Sequence, residues 1–259
     1  MTADVPEDEV EVEEAAPTEP QAGDLVYRHR RSTRIWHWLN ALTVFVMLMS
    51  GMMIFNAHPR LYWGEYGANP DRAWLVIHGT RAAPAFPGWM TIPTSYDLAG
   101  ARSWHFLFAW LLVVPGLLYW LWSLSNRHIQ RDLAPRREEL SPRHIWHDVK
   151  DHARLRFPTG RAALRYNILQ KASYLAILFV LLPLIVLTGL TLSPALDAAW
   201  PWLLDLFGGR QSARSLHFIA AALIAAFILV HLVMVVLAGP VNEIRSMITG
   251  RYRLPREKP

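Results

Sequence analysis

The sequence predicts an all-α integral membrane protein folded as a four-helix bundle, and three observations carry that expectation. Apolar side chains make up 53% of the 259 residues, 12 of them Trp, more oily sequence than a soluble domain normally holds. Four stretches, Ile35–Phe55, Trp104–Leu124, Ile168–Leu192 and Ser212–Ala238, are each long enough at about 1.5 Å per residue to cross about 30 Å of hydrocarbon. The basic residues are also unevenly shared: Asn126–Arg165 holds ten Lys or Arg and the tail after Ala238 five, against four in the longer Asn56–Ser103 loop. By the positive-inside rule the middle loop and both termini face the cytoplasm. The formal charge of +5 is then a topology signal and a lipid contact, and no nucleic-acid partner is needed to explain it.

Residues 1–26 open the chain as an acidic tail. Nine Asp or Glu fall within the first 24 positions, with interspersed Pro and almost no aromatic side chains, so the segment cannot bury enough apolar surface to offset the entropy of ordering and is expected to be disordered. The length of this tail, and of the apolar core behind it, argues against a secretory signal peptide. The domain itself is expected over residues 27–253, followed by a short tail at 254–259. Tyr27–Arg34 is a basic run at headgroup depth.

The loop after the first span is rich in rings (Tyr62, Trp63, Tyr66, Trp74, Trp89, Tyr96). Such a loop suits both the membrane interface and a docked partner. On the opposite side, Pro142–His152 places Ile145, Trp146 and Val149 at helical spacing among charges, as in a helix lying in the interface. Its His144, His147 and His152 are read as solvent-facing, because nothing beside them completes a metal site.

Cysteine is absent, which excludes disulfides, Cys-ligated iron–sulfur clusters and covalently attached c-type haem. Any metal must be held by His, Met or carboxylate. Of eleven histidines, four lie inside the spans: His37, His105, His217 and His231. Ionisable groups at that depth are costly and usually functional.

His217 and His231 are fourteen residues apart, close to four helical turns, so they project from nearly one face about 21 Å apart along the axis. That distance suits two haems at opposite leaflets and not two ligands on one ion. Depth then pairs the rest. His37, early in a span running outward, is level with His231, late in a span running inward; His105 and His217 both lie early in spans that start on the periplasmic side. Two haem b groups, one on His37/His231 and one on His105/His217, would be six-coordinate and suited to electron transfer, with no catalytic residue required of the chain itself. Arg34, one turn before His37, is a propionate candidate. A haem-free transporter or proton relay using the same histidines is the rival reading.

These residues resemble a known family: the bacterial cytochrome b subunits that anchor periplasmic oxidoreductases, namely the gamma subunit of respiratory formate dehydrogenase, the b-type cytochrome of nickel–iron hydrogenases and the thiosulfate reductase cytochrome b subunit. Arg34–Asn40 (RIWHWLN), Tyr166–Lys171 (YNILQK) and His217 with His231 carry the likeness, which runs from about Tyr27 to Arg253. The resemblance implies a multi-pass protein of the bacterial inner membrane, an electron-transfer subunit between a quinone pool and a periplasmic oxidoreductase. It also implies a quinone beside the cytoplasmic haem, with Asn167, Gln170 and Lys171 as its candidates; amide and ammonium groups can hydrogen-bond quinone carbonyls. The long aromatic loop departs from the compact gamma subunits. Its NAHPRLYWGEYG passage is closer to the thiosulfate-reductase-like branch, whose members resemble partners of molybdenum enzymes. A self-contained oxidoreductase resembling ascorbate-dependent cytochrome b561, with a small soluble donor, is a further alternative. The direction of electron flow stays open at this stage.

Overall fold

The computed structural model describes residues 20–80, 83–126, 134–156 and 166–255. Four helices are long and apolar enough to cross a membrane: Arg31–Asn56, Leu98–Ser125, Ile168–Leu192 and Arg210–Ala238. Three begin before the stretches read from hydropathy. The first and fourth open on polar turns and the second on Leu98-Ala99-Gly100-Ala101; Asp97 starts the second by accepting a hydrogen bond from the Gly100 N–H.

We label the helices α1 (Arg31–Asn56), α2 (Leu98–Ser125), α3 (Pro142–Ala153), α4 (Ile168–Ala176), α5 (Leu182–Leu192), α6 (Pro194–Ala199), α7 (Trp202–Leu206), α8 (Arg210–Ala238) and α9 (Pro240–Thr249). The third span is α4 and α5 joined by a π-helical turn, Ile177–Leu181. Pro183 follows that turn; with no N–H to give and a ring that crowds the preceding carbonyls, it accounts for a widened turn here.

The spans pair locally. α1 packs along α2, and α5 along α8, whereas neither helix of the first pair makes comparably close backbone contact with α5 or α8. Directly packed helices sit about 8–10 Å apart, so the two hairpins leave a gap that side chains must bridge. Outward-facing residues such as Leu107, Trp110, Val114, Leu117 and Leu118 of α2 and Leu229, Val230, Val233 and Val236 of α8 are exposed, as lipid-facing side chains must be. Among the fully buried residues, Thr43, Ser50, Thr188, Thr191 and Ser215 are small and hydroxylic.

The expected boundaries of the two tails move inward on the structure. The strand Leu25–Tyr27 pairs antiparallel with Arg251–Arg253, and the Gly23 and Leu254 N–H groups extend the ladder to the Leu254 and Asp24 carbonyls. Tyr252 and Leu254 are buried with Val26 packed against them, so residues 23–26 and Leu254 belong to the domain. Gly250 makes the return possible: its φ is +83°, and a Cβ there would come within 2.7 Å of Arg34 and Tyr27. Residues 1–19, which carry the rest of the expected acidic tail, lie outside the described residues.

The interfacial helix forms as α3, with Ser141 capping the His144 N–H. His144 and His147 face Asp148 and Asp151 one turn on, at 3.8 and 3.2 Å. His152 departs from its expected exposure: it is half-buried, and its Nε2 lies 3.3 Å from Asn167 Nδ2 because α3 packs against the start of α4. Among the described residues no group of three or more His, Asp or Glu could hold a metal ion.

Candidate functional site

The four intramembrane histidines meet in the two pairs expected from depth. The ring centroids of His37 on α1 and His231 on α8 are 6.2 Å apart with planes at 66°; those of His105 on α2 and His217 on α8 are 6.2 Å apart at 61°. A direct ring-to-ring hydrogen bond would bring two imidazole centroids to about 5 Å. Two nitrogens bound about 2 Å either side of one metal would set them about 6 Å apart. The observed spacing fits the second arrangement in both places, across the gap the helix hairpins leave open.

Glycines lie against one pair. A Cβ on Gly51 of α1 would lie 3.5 Å from His105 Cε1, and one on Gly189 of α5 would lie 3.3 Å from His217 Cε1. The residue before each glycine carries a hydroxyl that touches the same ring: Ser50 Oγ is 3.0 Å from His105 Nδ1, and Thr188 Oγ1 is 3.1 Å from His217 Nδ1. These four residues are the part of the site that hydropathy and histidine spacing do not reveal. A signal does exist in the sequence: Arg102–Phe106 reads RSWHF and Arg214–Phe218 reads RSLHF. Each hairpin thus carries a hydroxyl–Gly pair on its first helix and an R-S-x-H-F passage on its second, and folds the one against the other.

Arg34 lies one turn before His37 and is half-buried; its Nε is buried without a hydrogen-bond partner among the described residues. A buried guanidinium nitrogen left unmatched is costly, and an anionic propionate is the kind of group that would satisfy it. Beside it His29 is buried, and its pKa is lowered to about 4 by burial first and then by Arg28, His37 and Arg34. This imidazole is neutral at physiological pH and adds no competing cation.

The residues expected to bind quinone are gathered at the start of α4, but much of their polarity serves the fold. Asn167 and Gln170 form a reciprocal capping box. Lys171 is buried, and its ammonium lies 2.7 and 2.8 Å from the two carboxylate oxygens of Glu139. Burial alone would raise the Glu139 pKa, but the hydrogen bonds and charge of Lys171, with Arg136, bring the net value below the usual carboxylate range. The Gln170 side-chain N–H2 has no partner among the described residues. Rings lead from here to the histidines: Tyr174 lies 6.4 Å from Phe227, which stacks at 6.0 Å and 13° on His231.

At the opposite end the aromatic loop is tied to the first turns of α8. Arg214 donates to the His58 and Arg60 carbonyls, Trp74 Nε1 donates to Ser215 Oγ at 2.9 Å, and Ser215 Oγ donates to the Tyr62 carbonyl at 2.6 Å. Trp63 stacks on Trp74, whereas Tyr66 and Trp89 point outward at 88% and 78% exposure. The loop therefore has a face fixed over His217 and a face presenting bare rings.

Comparison with known proteins identifies the family. The family profile described as "Prokaryotic cytochrome b561" matches residues 28–250. A protein of Azospira oryzae named YedZ1, described as a subunit of a protein-methionine-sulfoxide reductase, is 33% identical over 84% of this chain and 93% of its own length. A Cupriavidus necator protein described as a Ni/Fe-hydrogenase B-type cytochrome subunit is 23% identical over 98% of this chain and 97% of its own. The Escherichia coli cytochrome YdhU is 23% identical over 89% of this chain and 76% of its own. No solved structure matches.

Proposed function

The chain belongs to the prokaryotic cytochrome b561 family, and from that premise we propose that it carries electrons through two b-type haems between a quinone and an oxidoreductase docked on its aromatic loop. It is a multi-pass membrane haem b electron-transfer subunit. One haem would be held by His37 and His231, the other by His105 and His217. The single observation that carries this reading is the repeated 6.2 Å separation of the paired rings. When bound, each haem would supply a one-electron couple. The four histidines would hold the iron, and Arg34 would offset propionate charge.

The quinone belongs, in this reading, at the cytoplasmic end beside His231. The support is the resemblance of Tyr166–Lys171 and the short ring path from Tyr174 through Phe227 to His231. The partner belongs at the other end, where the loop over His217 presents Tyr66 and Trp89; this end faces the periplasm of a bacterial inner membrane, by the distribution of Lys and Arg. The similarity to YedZ1 at 33% identity, against 23% for the hydrogenase subunit, favours a reductase as partner, a molybdenum enzyme fitting the character of the loop. Electrons would then run outward from quinol.

Absorption spectroscopy of the purified protein, with haem counted by pyridine haemochrome, tests the core of the reading. Two haem b per chain, reducible by a quinol analogue, are expected. A protein that takes up no haem would leave only the proton-relay alternative; reduction by ascorbate alone, with no protein partner recovered, would favour the soluble-donor alternative.

A further inference from the structure

We propose that Ser50 and Thr188 are positioning residues that fix the tautomer of His105 and His217 and lower the reduction potential of the haem these histidines hold. The inference rests on the two-haem reading above. Its starting point is where the hydroxyl protons go. Ser50 Oγ donates to the Val46 carbonyl at 2.8 Å, with a second contact to Met47 O at 3.2 Å. Thr188 Oγ1 donates to the Leu184 carbonyl at 2.7 Å, with a second contact to Ile185 O at 3.2 Å. Each hydroxyl has a single proton, which the helix carbonyls take, and the Met47 and Ile185 carbonyls share the His105 and His217 rings with the two hydroxyl oxygens. Towards the imidazole each oxygen can therefore only accept.

The consequence is chemical. A Nδ1 nitrogen 3.0 or 3.1 Å from an oxygen that can only accept must carry the proton. The ring is then the Nδ1–H tautomer, and the Nε2 lone pair is left for iron. Ser50 and Thr188 are fully buried, so water does not compete for the bond. A Cβ on Gly189 would crowd His217 at 3.3 Å, whereas one on Gly51 would meet His105 at an ordinary 3.5 Å.

Accepting from Nδ1–H makes an imidazole a stronger donor, which favours the ferric over the ferrous state. The reaction affected is the addition of one electron to iron; the Nδ1 proton stays on the ring throughout. At the other pair, no described residue accepts a hydrogen bond from the ring of His37 or His231. The two haems are thereby set apart by a device present in both halves of one site and missing from the other.

The test uses the full-length membrane protein in a His37→Ala background, where one haem remains, and in the wild-type background, where both do. Ser50→Ala and Thr188→Ala should each raise the midpoint of the haem retained in His37→Ala, by a shift of up to about tenfold in the ferric/ferrous equilibrium, or about 59 mV. The other midpoint should not move. The low-spin ferric EPR signal of the same haem should change, because the ring planes lose their anchor. Ser50→Thr and Thr188→Ser should restore both readouts. Selective loss of that one haem in the alanine variants, with retention in the hydroxyl-preserving ones, also supports the proposal.

Unmoved midpoints and EPR in the alanine variants overturn the proposal and leave the two-haem reading standing. Equal shifts at both haems overturn it too, since they would mark a general change in packing. A wild-type protein from which His105→Ala and His217→Ala remove no haem overturns the ligand reading and this inference with it.

Discussion

His37 and His231 sit on helices that pack less closely than either hairpin pair, yet their rings are 6.2 Å apart, and the same separation recurs between His105 and His217. Two elements held apart by a constant ring spacing call for a common bridge at both levels. The first prediction follows from that geometry. His105→Ala and His217→Ala should each halve the haem content and abolish the same spectral component, and His37→Ala and His231→Ala should each abolish the other. Redox-titrated absorption spectra check this; crossed patterns would break the pairing.

Arg34 gives a second prediction. Replacing a cation near a propionate removes stabilisation of the more negative, reduced state, by about 1–2 kcal/mol at the effective dielectric of a partly buried site. Arg34→Gln should therefore lower the midpoint of the His37/His231 haem and leave the other in place. Equal midpoints in variant and wild type would place the propionates elsewhere.

The four spans were legible because each is a long apolar run, and the histidine pairs because each partner lies at the same depth in its span. The hydroxyl contacts were not legible in that way. Ser50 and Thr188 look like ordinary helix-packing residues until their rings are in place, and RSWHF and RSLHF are too short to stand out without the folded hairpins. The pairing of Leu25–Tyr27 with Arg251–Arg253 escaped for a different reason. Leu25–Tyr27 is flanked by acidic and basic runs, and its partner strand lies more than two hundred residues away, so only tertiary contact makes it a strand. The capping role of Asn167 and Gln170, by contrast, follows from local spacing.

His29 sets a pH dependence. Its pKa is lowered from 6.5 to about 4 in the folded protein, so between these values the unfolded chain binds more protons than the native one, and stability rises with pH. Stability should be fully present above 6.5 and should fall as pH drops towards 4, by on the order of 3 kcal/mol at the extreme. His29→Gln should flatten this slope. Thermal denaturation from pH 4 to 7.5 checks it, and an unchanged slope in the variant would assign the effect to other groups.

The loop should depend on α8 through Arg214. Its guanidinium reaches two separate carbonyls, those of His58 and Arg60, which a lysine ammonium cannot do in the same fork geometry. Arg214→Lys should leave the spans intact but increase proteolytic cleavage within residues 57–97. It should also weaken electron exchange with the partner more than with a quinol analogue. A loop as resistant as the wild type would mean that Trp74 and Ser215 suffice to hold it.

Asn167 separates capping from quinone binding. Its side-chain oxygen accepts from the Gln170 N–H at 2.9 Å while its Nδ2 lies near His152, so Asn167→Ala would remove a cap worth about 1 kcal/mol together with any ligand contact. Asn167→Ser is the cleaner probe. Serine caps a helix about as well as asparagine but lacks the amide N–H2 that could donate to a quinone carbonyl. If the amide serves the quinone, Asn167→Ser should keep both haems and the wild-type melting temperature, yet slow haem reduction by a quinol analogue about tenfold or more. If the residue is only a cap, the kinetics should match wild type in Asn167→Ser and fall in Asn167→Ala only as far as the start of α4 loosens. Stopped-flow reduction of the two variants side by side distinguishes these outcomes, because their difference isolates the amide from the cap.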